Sequence, residues 1–349
     1  MKKLRIGMFF LFFIILVVFI GGSFYYKMGL SPVSDSKDTI LVDIEKGSTS
    51  KKIAALLKEK DLIRSKEVFI FYLKVNKIDN LQSGSYEFSK DMGVETIVNK
   101  IHKGEVVDTT FKLLFKEGIN MRGIVKIIVD NTDNKEEDVY NLLKDEEYLD
   151  SLISKYWFIT DDIKNKDIYY SLEGYLYPDT YIYYKGASVK DIFGKMLDQM
   201  GKVLSKYEDD IKGSNYSVHE LLTLASMIEQ EGSTKENKPT VASVFYNRLN
   251  RGMTLGSDVT TYYGAKLDLN SDRTPNFSEN NAYNTRVKQG LPVSPICIMG
   301  SDAIEAVLHP DTTDYLYFVS DKNKKLYFSH SYEEQAKVIQ SLKAQGLWL

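Results

Sequence analysis

Ser217-Val-His-Glu-Leu-Leu-Thr-Leu-Ala-Ser-Met-Ile-Glu-Gln-Glu231 is the stretch that says most about the fold of this chain. Its first four residues fit a capping box, in which the Ser217 oxygen accepts from a backbone N–H and Glu220 reaches back to the serine. Apolar residues then recur at helical spacing along one stripe, at Leu221, Leu224, Ala225 and Ile228. The stretch therefore predicts a helix with one buried face that ends beside a pair of carboxyl groups.

These carboxyl groups belong to Glu229 and Glu231, two positions apart. At about 100° per residue they point about 200° apart, so both cannot face one small site from a regular helix. A carboxyl group against apolar walls has a raised pKa, because desolvation disfavours its charged form, and it can then act as a general acid near neutral pH. Both glutamates flank the apolar stripe, so periodicity does not choose between them. Exposed helix-end residues remain the alternative for both.

Another helix and several polar loops follow. Residues 241–249 predict a second apolar helix that ends in an amide and a cation, and residues 252–258 form a glycine-punctuated loop with hydroxyls and a carboxylate. Hydroxyl, amide and aromatic side chains recur at 260–263, 283–285 and 290–296. Sugars are bound by this mixture, because their hydroxyls need hydrogen bonds and their apolar faces pack on rings. Ordinary turn chemistry explains each loop equally well when it is taken alone.

The fold class predicted for the chain is α+β. A small module is expected at residues 39–105 and a larger unit, rich in helices, at 106–349. Strands are predicted at 40–44, 84–88, 315–319 and 326–328, the last two as a pair. In the larger unit the helical stripes lie at 121–130, 137–144, 147–152, 189–207 and 217–230.

The N-terminus predicts a membrane anchor. Three cations among residues 1–5 precede an apolar run, 6–26, which as a helix spans roughly 30 Å, the hydrocarbon thickness of a bilayer. The cations favour a cytoplasmic N-terminus, which places everything beyond a short linker at 27–38 on the outer side of the cell membrane. No second apolar stretch is long enough to return, so a single-pass protein is expected. A cleaved signal peptide is the alternative, with the Gly-Gly-Ser of 21–23 as a weak cleavage site.

Composition argues against several classes of site. The formal net charge is −3 and lysines alternate with acidic residues, so the concentrated basic face of a nucleic-acid-binding protein is not expected. The single cysteine, Cys297, allows no intrachain disulfide and no cysteine-based zinc site, and it is interpreted as a small buried residue. The four histidines lack metal-ligand spacing, so no metal site is predicted.

Six motifs, in this order, resemble those of the endolytic murein transglycosylases, the MltG or YceG-like family. They are residues 173–181 (EGYLYPDTY), 224–231 (LASMIEQE), 241–249 (VASVFYNRL), 252–255 (GMTL) with Asp258, Asn284-Thr285 with 290–292 (GLP), and 315–319 (YLYFV). The resemblance covers nearly the whole chain after the membrane anchor. It implies a YceG-like catalytic domain at 106–349 and a LysM-like, glycan-binding module at 39–105.

The resemblance also implies a reaction, that of a lyase acting on peptidoglycan. Glu231 aligns with the family's catalytic glutamate, and Glu229 is the alternative candidate for this role. The acid protonates the oxygen that links N-acetylmuramic acid to N-acetylglucosamine, and then takes a proton from the muramyl C6 hydroxyl, which closes on C1 to leave a 1,6-anhydro end. One carboxyl group thus serves as acid and then as base, with no metal or organic cofactor, whereas ordinary glycosidases use two carboxylates.

Substrate binding is assigned to six further residues. Three of them, Asn247, Arg248 and Asp258, are predicted to organise the cleft, although helix and turn capping explains each of them equally well. The predicted substrate-binding residues are Asn247, Arg248, Asp258, Tyr263, Asn284 and Thr285. The partners implied by the family are peptidoglycan strands and the cell-wall synthases that elongate them, with strand termination as the expected outcome.

Two other interpretations remain open. The first is a non-catalytic, membrane-anchored peptidoglycan-binding scaffold, which is favoured by Gly232, since a small hydroxyl residue often follows the catalytic glutamate in the family. The second is a hydrolase that leaves reducing ends. Incubation with glycan strands distinguishes the three interpretations: a transglycosylase leaves anhydro ends, a hydrolase leaves reducing ends, and a scaffold leaves the strands uncut.

Overall fold

The chain folds into two compact units, Met1–Thr109 and Thr110–Leu349. The computed structural model describes residues 2–107, 109–231, 234–269 and 271–348, and Gly232 lies outside them. Each unit combines helices with two-stranded antiparallel sheets, which confirms the α+β class.

The first unit contains four helices and one strand pair among its described residues. They are α1 (Lys2–Leu30), β1 (Thr39–Ile44), α2 (Ser50–Glu59), α3 (Lys66–Val75), β2 (Gly84–Ser89) and α4 (Val94–Lys103). Within the described part of α1, Phe12–Leu30 has a mean hydropathy of 1.7 and is long and apolar enough to cross a membrane. The helix continues to Leu30, beyond the predicted end at residue 26, so the predicted linker begins as helix.

The globular part of this unit is built on the β1–β2 pair. The two strands pair in antiparallel register from Thr39↔Ser89 to Ile44↔Gly84. Thr49 caps α2 and Ser65 caps α3 through their side-chain oxygens. Alternate strand residues and one face of each helix form a single apolar core, which includes Val42, Leu57, Phe69, Tyr86, Phe88, Ile97 and Ile101.

The second unit is mainly helical. Its elements are β3 (Thr110–Leu114), α5 (Met121–Asn131), α6 (Glu136–Leu142), α7 (Glu146–Lys155), a 3-10 helix (Asp161–Lys164), β4 (Thr180–Tyr184), α8 (Val189–Leu204), α9 (Glu208–Gly213), α10 (Val218–Gln230), α11 (Lys238–Asn250), α12 (Asp258–Gly264), α13 (Ser301–Leu308), β5 (Tyr317–Ser320), β6 (Leu326–Ser329) and α14 (Tyr332–Ala344). The predicted C-terminal strand pair is confirmed, with Phe318 opposite Phe328. The β3–β4 pair was not predicted.

Helix α10 lies at the centre of this unit. The predicted capping box is present: Ser217 Oγ accepts from the Glu220 N–H, and Glu220 Oε2 accepts from the Ser217 N–H. The helix packs against α11, α12 and α13. Its residues from Leu221 to Ile228 are all buried, so the helix is enclosed on every side rather than along the one predicted stripe. This burial fixes the position of its C-terminal end, where the two glutamates lie.

Candidate active site

Glu231 is the C-terminal cap of α10, and its carboxyl group faces the start of α12. Its Oε1 accepts a hydrogen bond of 2.7 Å from the Ser257 hydroxyl. Ser257 is held in turn by its backbone N–H, which donates to Thr285 Oγ1 at 3.2 Å. Gly256 makes this turn possible, because its φ of +64° is a left-handed conformation that residues with a Cβ rarely adopt.

The pKa of Glu231 is raised to about 7. Desolvation is the largest cause, and the nearby charge of Asp258 acts in the same direction, while the Ser257 hydrogen bond and the charge of Arg248 lower the pKa. The residue is nevertheless partly exposed to solvent. A carboxyl group with a raised pKa can hold its proton near neutral pH, as a general acid must.

Glu229, two residues earlier, points to the other side of the helix end. Its Oε2 lies 2.9 Å from Lys238 Nζ, and the side chains of this ion pair are 10% and 8% exposed, respectively. The same oxygen accepts from the Gly300 N–H, just before α13, at 3.3 Å. The Glu229 side chain is therefore largely buried and ion-paired, and it connects α10 to α11 and α13.

A third carboxyl group, Glu173, lies wholly inside the unit. Its Oε2 accepts from the Met121 N–H at 3.0 Å and from the Tyr263 hydroxyl at 2.8 Å. Its Oε1 is buried without a hydrogen-bond partner among the described residues. Burial raises the pKa of Glu173 to about 7. Only 1% of Glu173 is exposed, so it cannot contact a ligand directly. It instead holds the Tyr263 side chain through the hydrogen bond from the Tyr263 hydroxyl.

The two residues that close α11 bind backbone groups. Asn247 Nδ2 donates to the carbonyls of Thr313 and Tyr315, at 2.9 and 3.0 Å. The Arg248 guanidinium donates to the carbonyls of Leu316 and Leu255, both at 2.6 Å. Both side chains thus join α11 to neighbouring loops, and Arg248 also contributes the positive charge that acts on Glu231.

The remaining predicted binding residues surround α12. Asp258 forms an exposed ion pair with Arg286. Asn284 is fully buried, and its Oδ1 accepts from Thr261 Oγ1 at 2.8 Å. Thr285, also buried, positions Ser257 as described above. The segment 260–263, predicted as loop, belongs to the short helix α12, which turns Tyr263 inward.

A cavity of about 330 Å³ opens beside the C-terminal turn of α10. Gln230, which lies between the two glutamates, is part of its wall, whereas neither glutamate is among its described lining residues. The wall combines aromatic rings with amide and carboxyl groups, from Asn120, Gln230, Tyr262, Tyr263 and Asp268. This mixture of rings and hydrogen-bonding groups suits a sugar.

Sequence reasoning named neither Ser257 nor Glu173 as functional, although both lie in segments that it singled out. Their roles follow from contacts with residues that are distant along the chain, and no local pattern signals such contacts. Among the described residues, no group of three or more His, Cys, Asp or Glu side chains could hold a metal ion.

Comparison with known proteins places this arrangement in a family. Residues 42–341 match the model of the YceG-like family. The endolytic murein transglycosylase of Bacillus subtilis (strain 168) is 36% identical over 322 residues, which are 91% of this chain and 89% of that protein. The endolytic murein transglycosylase of Streptococcus pneumoniae serotype 2 is 31% identical over 90% of this chain and 61% of its own length.

A solved structure supports the same assignment. The 2.6 Å crystal structure of a yceG-like protein from Listeria monocytogenes has 37% sequence identity and a TM-score of 0.61, and the match covers 87% of this chain and all of the crystallised chain. The family model and the relatives extend over both units described above. This chain therefore belongs to the YceG-like family.

Proposed function

We propose that this chain is an endolytic lytic transglycosylase that cleaves the glycan strands of peptidoglycan and leaves 1,6-anhydro-muramyl ends. The named relatives support the reaction class. The observation that carries the choice of acid is the contrast at the end of α10. Glu231 accepts a hydrogen bond from the Ser257 hydroxyl and has a pKa raised to about 7, whereas Glu229 forms an ion pair with Lys238.

Glu231 acts first as a general acid. Ser257 occupies Oε1, so the proton for the substrate is carried on Oε2. Transfer of this proton to the bridging oxygen releases N-acetylglucosamine as an alcohol and leaves positive charge at C1 of the muramyl ring. Because the pKa of Glu231 is raised to about 7, its protonated form is well populated at neutral pH.

Glu231 then acts as the base. Its new carboxylate is stabilised by the Ser257 hydroxyl and by the charge of Arg248. It accepts the proton of the C6 hydroxyl as the C6 oxygen bonds to C1, which restores the acid and closes the anhydro ring. No water enters the product, so the step is an elimination within one sugar rather than a hydrolysis.

The cavity beside Gln230 is proposed to hold a sugar next to the cleaved bond. Tyr262 and Tyr263 provide rings, and Asn120 and Asp268 provide hydrogen-bonding groups. The predicted substrate-binding roles of Asn247, Asn284 and Thr285 become indirect roles in this proposal, because their polar groups bind other parts of the protein.

The products provide the test. The full chain in detergent is incubated with uncrosslinked glycan strands, and the new ends are identified by mass spectrometry. Anhydro ends are expected from the unaltered chain and from a variant with a change remote from the site, and no new ends from Glu231→Gln. Reducing ends would make the protein a hydrolase, and intact strands with the unaltered chain would support the scaffold interpretation.

Cellular placement is also part of the proposal. Helix α1 is proposed as a single-pass anchor with its N-terminus in the cytoplasm and all residues beyond α1 on the outer side of the cell membrane, beside the synthases that elongate strands. Its apolar character supports this. Protease added outside intact spheroplasts should remove the residues beyond α1. Their protection would contradict the orientation.

Residues 39–105 are proposed as the LysM-like, glycan-binding module. A groove of about 350 Å³ supports this role, since it lies between two loops at one end of the β1–β2 pair, Ile44–Ser48 and Leu81–Ser83. Filling it with Ser83→Trp in the Glu231→Gln background should weaken sedimentation with purified glycan. Unchanged sedimentation would argue against the groove.

A further inference from the structure

The last turns of α1 pack against α3. The rings of Tyr26 and Phe71 meet edge to face, with centroids 5.4 Å apart. Three residues further along α1, a Cβ added to Gly29 would lie 2.6 Å from a methyl carbon of Val68, so the two helices approach closely there. Tyr26 is the last residue of the apolar run expected to span the bilayer. Helix α3 is therefore attached where that run leaves the hydrocarbon.

The order of these contacts gives the direction of α3. Gly29 meets Val68 and Tyr26 meets Phe71, so a step toward the C-terminus of α3 corresponds to a step along α1 toward the membrane. Val75 lies four residues beyond Phe71, which is about 6 Å further along the helix axis. The C-terminal turn of α3 thus points back toward the plane of the bilayer.

This turn exposes large apolar side chains. Phe71 is 53% exposed and Val75 is 56% exposed, although the opposite face of α3 is buried through Phe69 and Leu73. Lys74 and Lys77 are exposed beside them. An aromatic and an aliphatic side chain flanked by lysines are typical of a surface at the membrane–water interface, where rings enter the headgroup region and lysines remain near phosphates.

We propose that Phe71, Val75, Lys74 and Lys77 form a surface, here called the α3 patch, that inserts into the outer leaflet of the bilayer holding α1. This inference rests on the proposed anchor. Lipid is the occupant favoured by continuity, because Phe71 touches the residue at which the apolar run ends. The two lysines complement the negative charge of anionic headgroups. The patch holds the globular part of the first unit against the membrane, so that this part is not attached through α1 alone.

Spin labels on the full chain test this proposal. The native Cys297 is fully buried and is replaced by alanine, and the chain is reconstituted in bilayer nanodiscs that contain anionic lipid. Single cysteines are introduced by Phe71→Cys, Val75→Cys, Val17→Cys and Lys52→Cys. Val17 is an exposed residue of α1, and Lys52 is an exposed residue in the first turn of α2 that is paired with Glu45. For each label, the relaxation caused by oxygen, which partitions into lipid, is compared with the relaxation caused by a water-soluble nickel chelate.

Labels at 71 and 75 are expected to resemble the label at 17, with oxygen the stronger relaxant, and the order should reverse at 52. If the label at 17 favours the nickel chelate, the anchor itself is wrong. If the label at 17 is relaxed more strongly by oxygen while the labels at 71 and 75 are relaxed more strongly by the nickel chelate, the anchor is supported and the α3 patch does not bind lipid. Immobile labels at 71 and 75 that neither relaxant reaches would indicate a protein partner and would also overturn the proposal.

Discussion

The groups that surround a carboxyl group differ between the two sides of the C-terminal turn of α10. On one side, Glu229 meets the ammonium of Lys238 and a backbone N–H. On the other side, Glu231 meets a single hydroxyl, that of Ser257, and its pKa is acted on by the opposing charges of Asp258 and Arg248. The same helix end therefore carries one glutamate in an ion pair with Lys238 and another whose pKa is raised to about 7.

This difference shows that burial alone does not make a catalytic acid. Glu173 is more deeply buried than either residue and also has a pKa raised to about 7, but it is closed off from solvent. A general acid needs both a retained proton and an open route to the substrate. Glu231 has a raised pKa and is partly exposed as a residue, and it is therefore the proposed acid.

The largest effect is expected from Glu231→Gln. The amide keeps the shape of the side chain but cannot transfer the proton, so the cleavage rate should fall by about 10³-fold, within the range of general acid catalysis. The release of anhydro ends measures the rate, and thermal unfolding checks that the fold is intact. Nearly normal activity in this variant, with an inactive but folded Glu229→Gln, would transfer the catalytic role to Glu229.

Glu229→Ala should act mainly on stability. It leaves Lys238 buried without its partner, which should lower the free energy of unfolding by about 4 kcal/mol. Urea unfolding of the full chain in detergent measures the change. The double variant Glu229→Met and Lys238→Met removes both charges and should recover most of the loss. A change below about 1 kcal/mol in the single variant would resemble an exposed pair and contradict the buried one.

Glu173→Gln should change how stability depends on pH. The folded-state pKa of about 7 lies above the ordinary value of 4.5, so the stability contributed by this acid is complete below pH 4.5 and is lost as pH rises through 7. The neutral amide has no such dependence. Between pH 5 and 8 the unaltered chain should therefore lose about 3 kcal/mol more than the variant.

Urea unfolding across this pH range measures the difference. Glu147→Gln, which alters an exposed glutamate of the same unit, is the matched control and should follow the unaltered chain. Parallel curves for the unaltered chain and Glu173→Gln would mean that Glu173 is ionised in the folded protein.

The smallest effect is expected from Ser257→Ala. Loss of this hydrogen bond removes an interaction that lowers the pKa of Glu231, so the alkaline limb of kcat/KM should move to higher pH. The carboxylate needed for the second step is also less stabilised, and the rate should fall about tenfold, or about 1.4 kcal/mol. Ser154→Ala, at an exposed helical serine, is the control. A limb that moves to lower pH would show that Ser257 does not bind the carboxylate.

The comparison also shows what the sequence could predict. Local patterns were sufficient for α10, whose capping box at Ser217 and Glu220 is present, and for the pairing of β5 with β6. Both depend on residues close together along the chain. The β3–β4 pair was missed because its strands are separated by three α-helices and a 3-10 helix, so nothing local indicates that they meet.

The choice between Glu229 and Glu231 could not come from helical periodicity, because both flank the same stripe. It depends on which distant groups the fold brings to each carboxyl group: Gly300 for one and Ser257 for the other. Asn284 illustrates the same limit. An exposed amide at this position could bind a sugar. In the folded protein Asn284 is completely buried, and its hydrogen bonds connect the segments around α12.

The most direct measurement is the titration of the Glu231 carboxyl group itself. Side-chain carboxyl carbons of glutamate are labelled with ¹³C, and the signal missing from Glu231→Gln assigns the resonance. A midpoint near pH 7 is expected in the unaltered chain, well above the ordinary pKa of 4.5 for this carboxyl group. A midpoint at or below 4.5 would mean that Glu231 has already lost its proton at neutral pH and cannot be the acid.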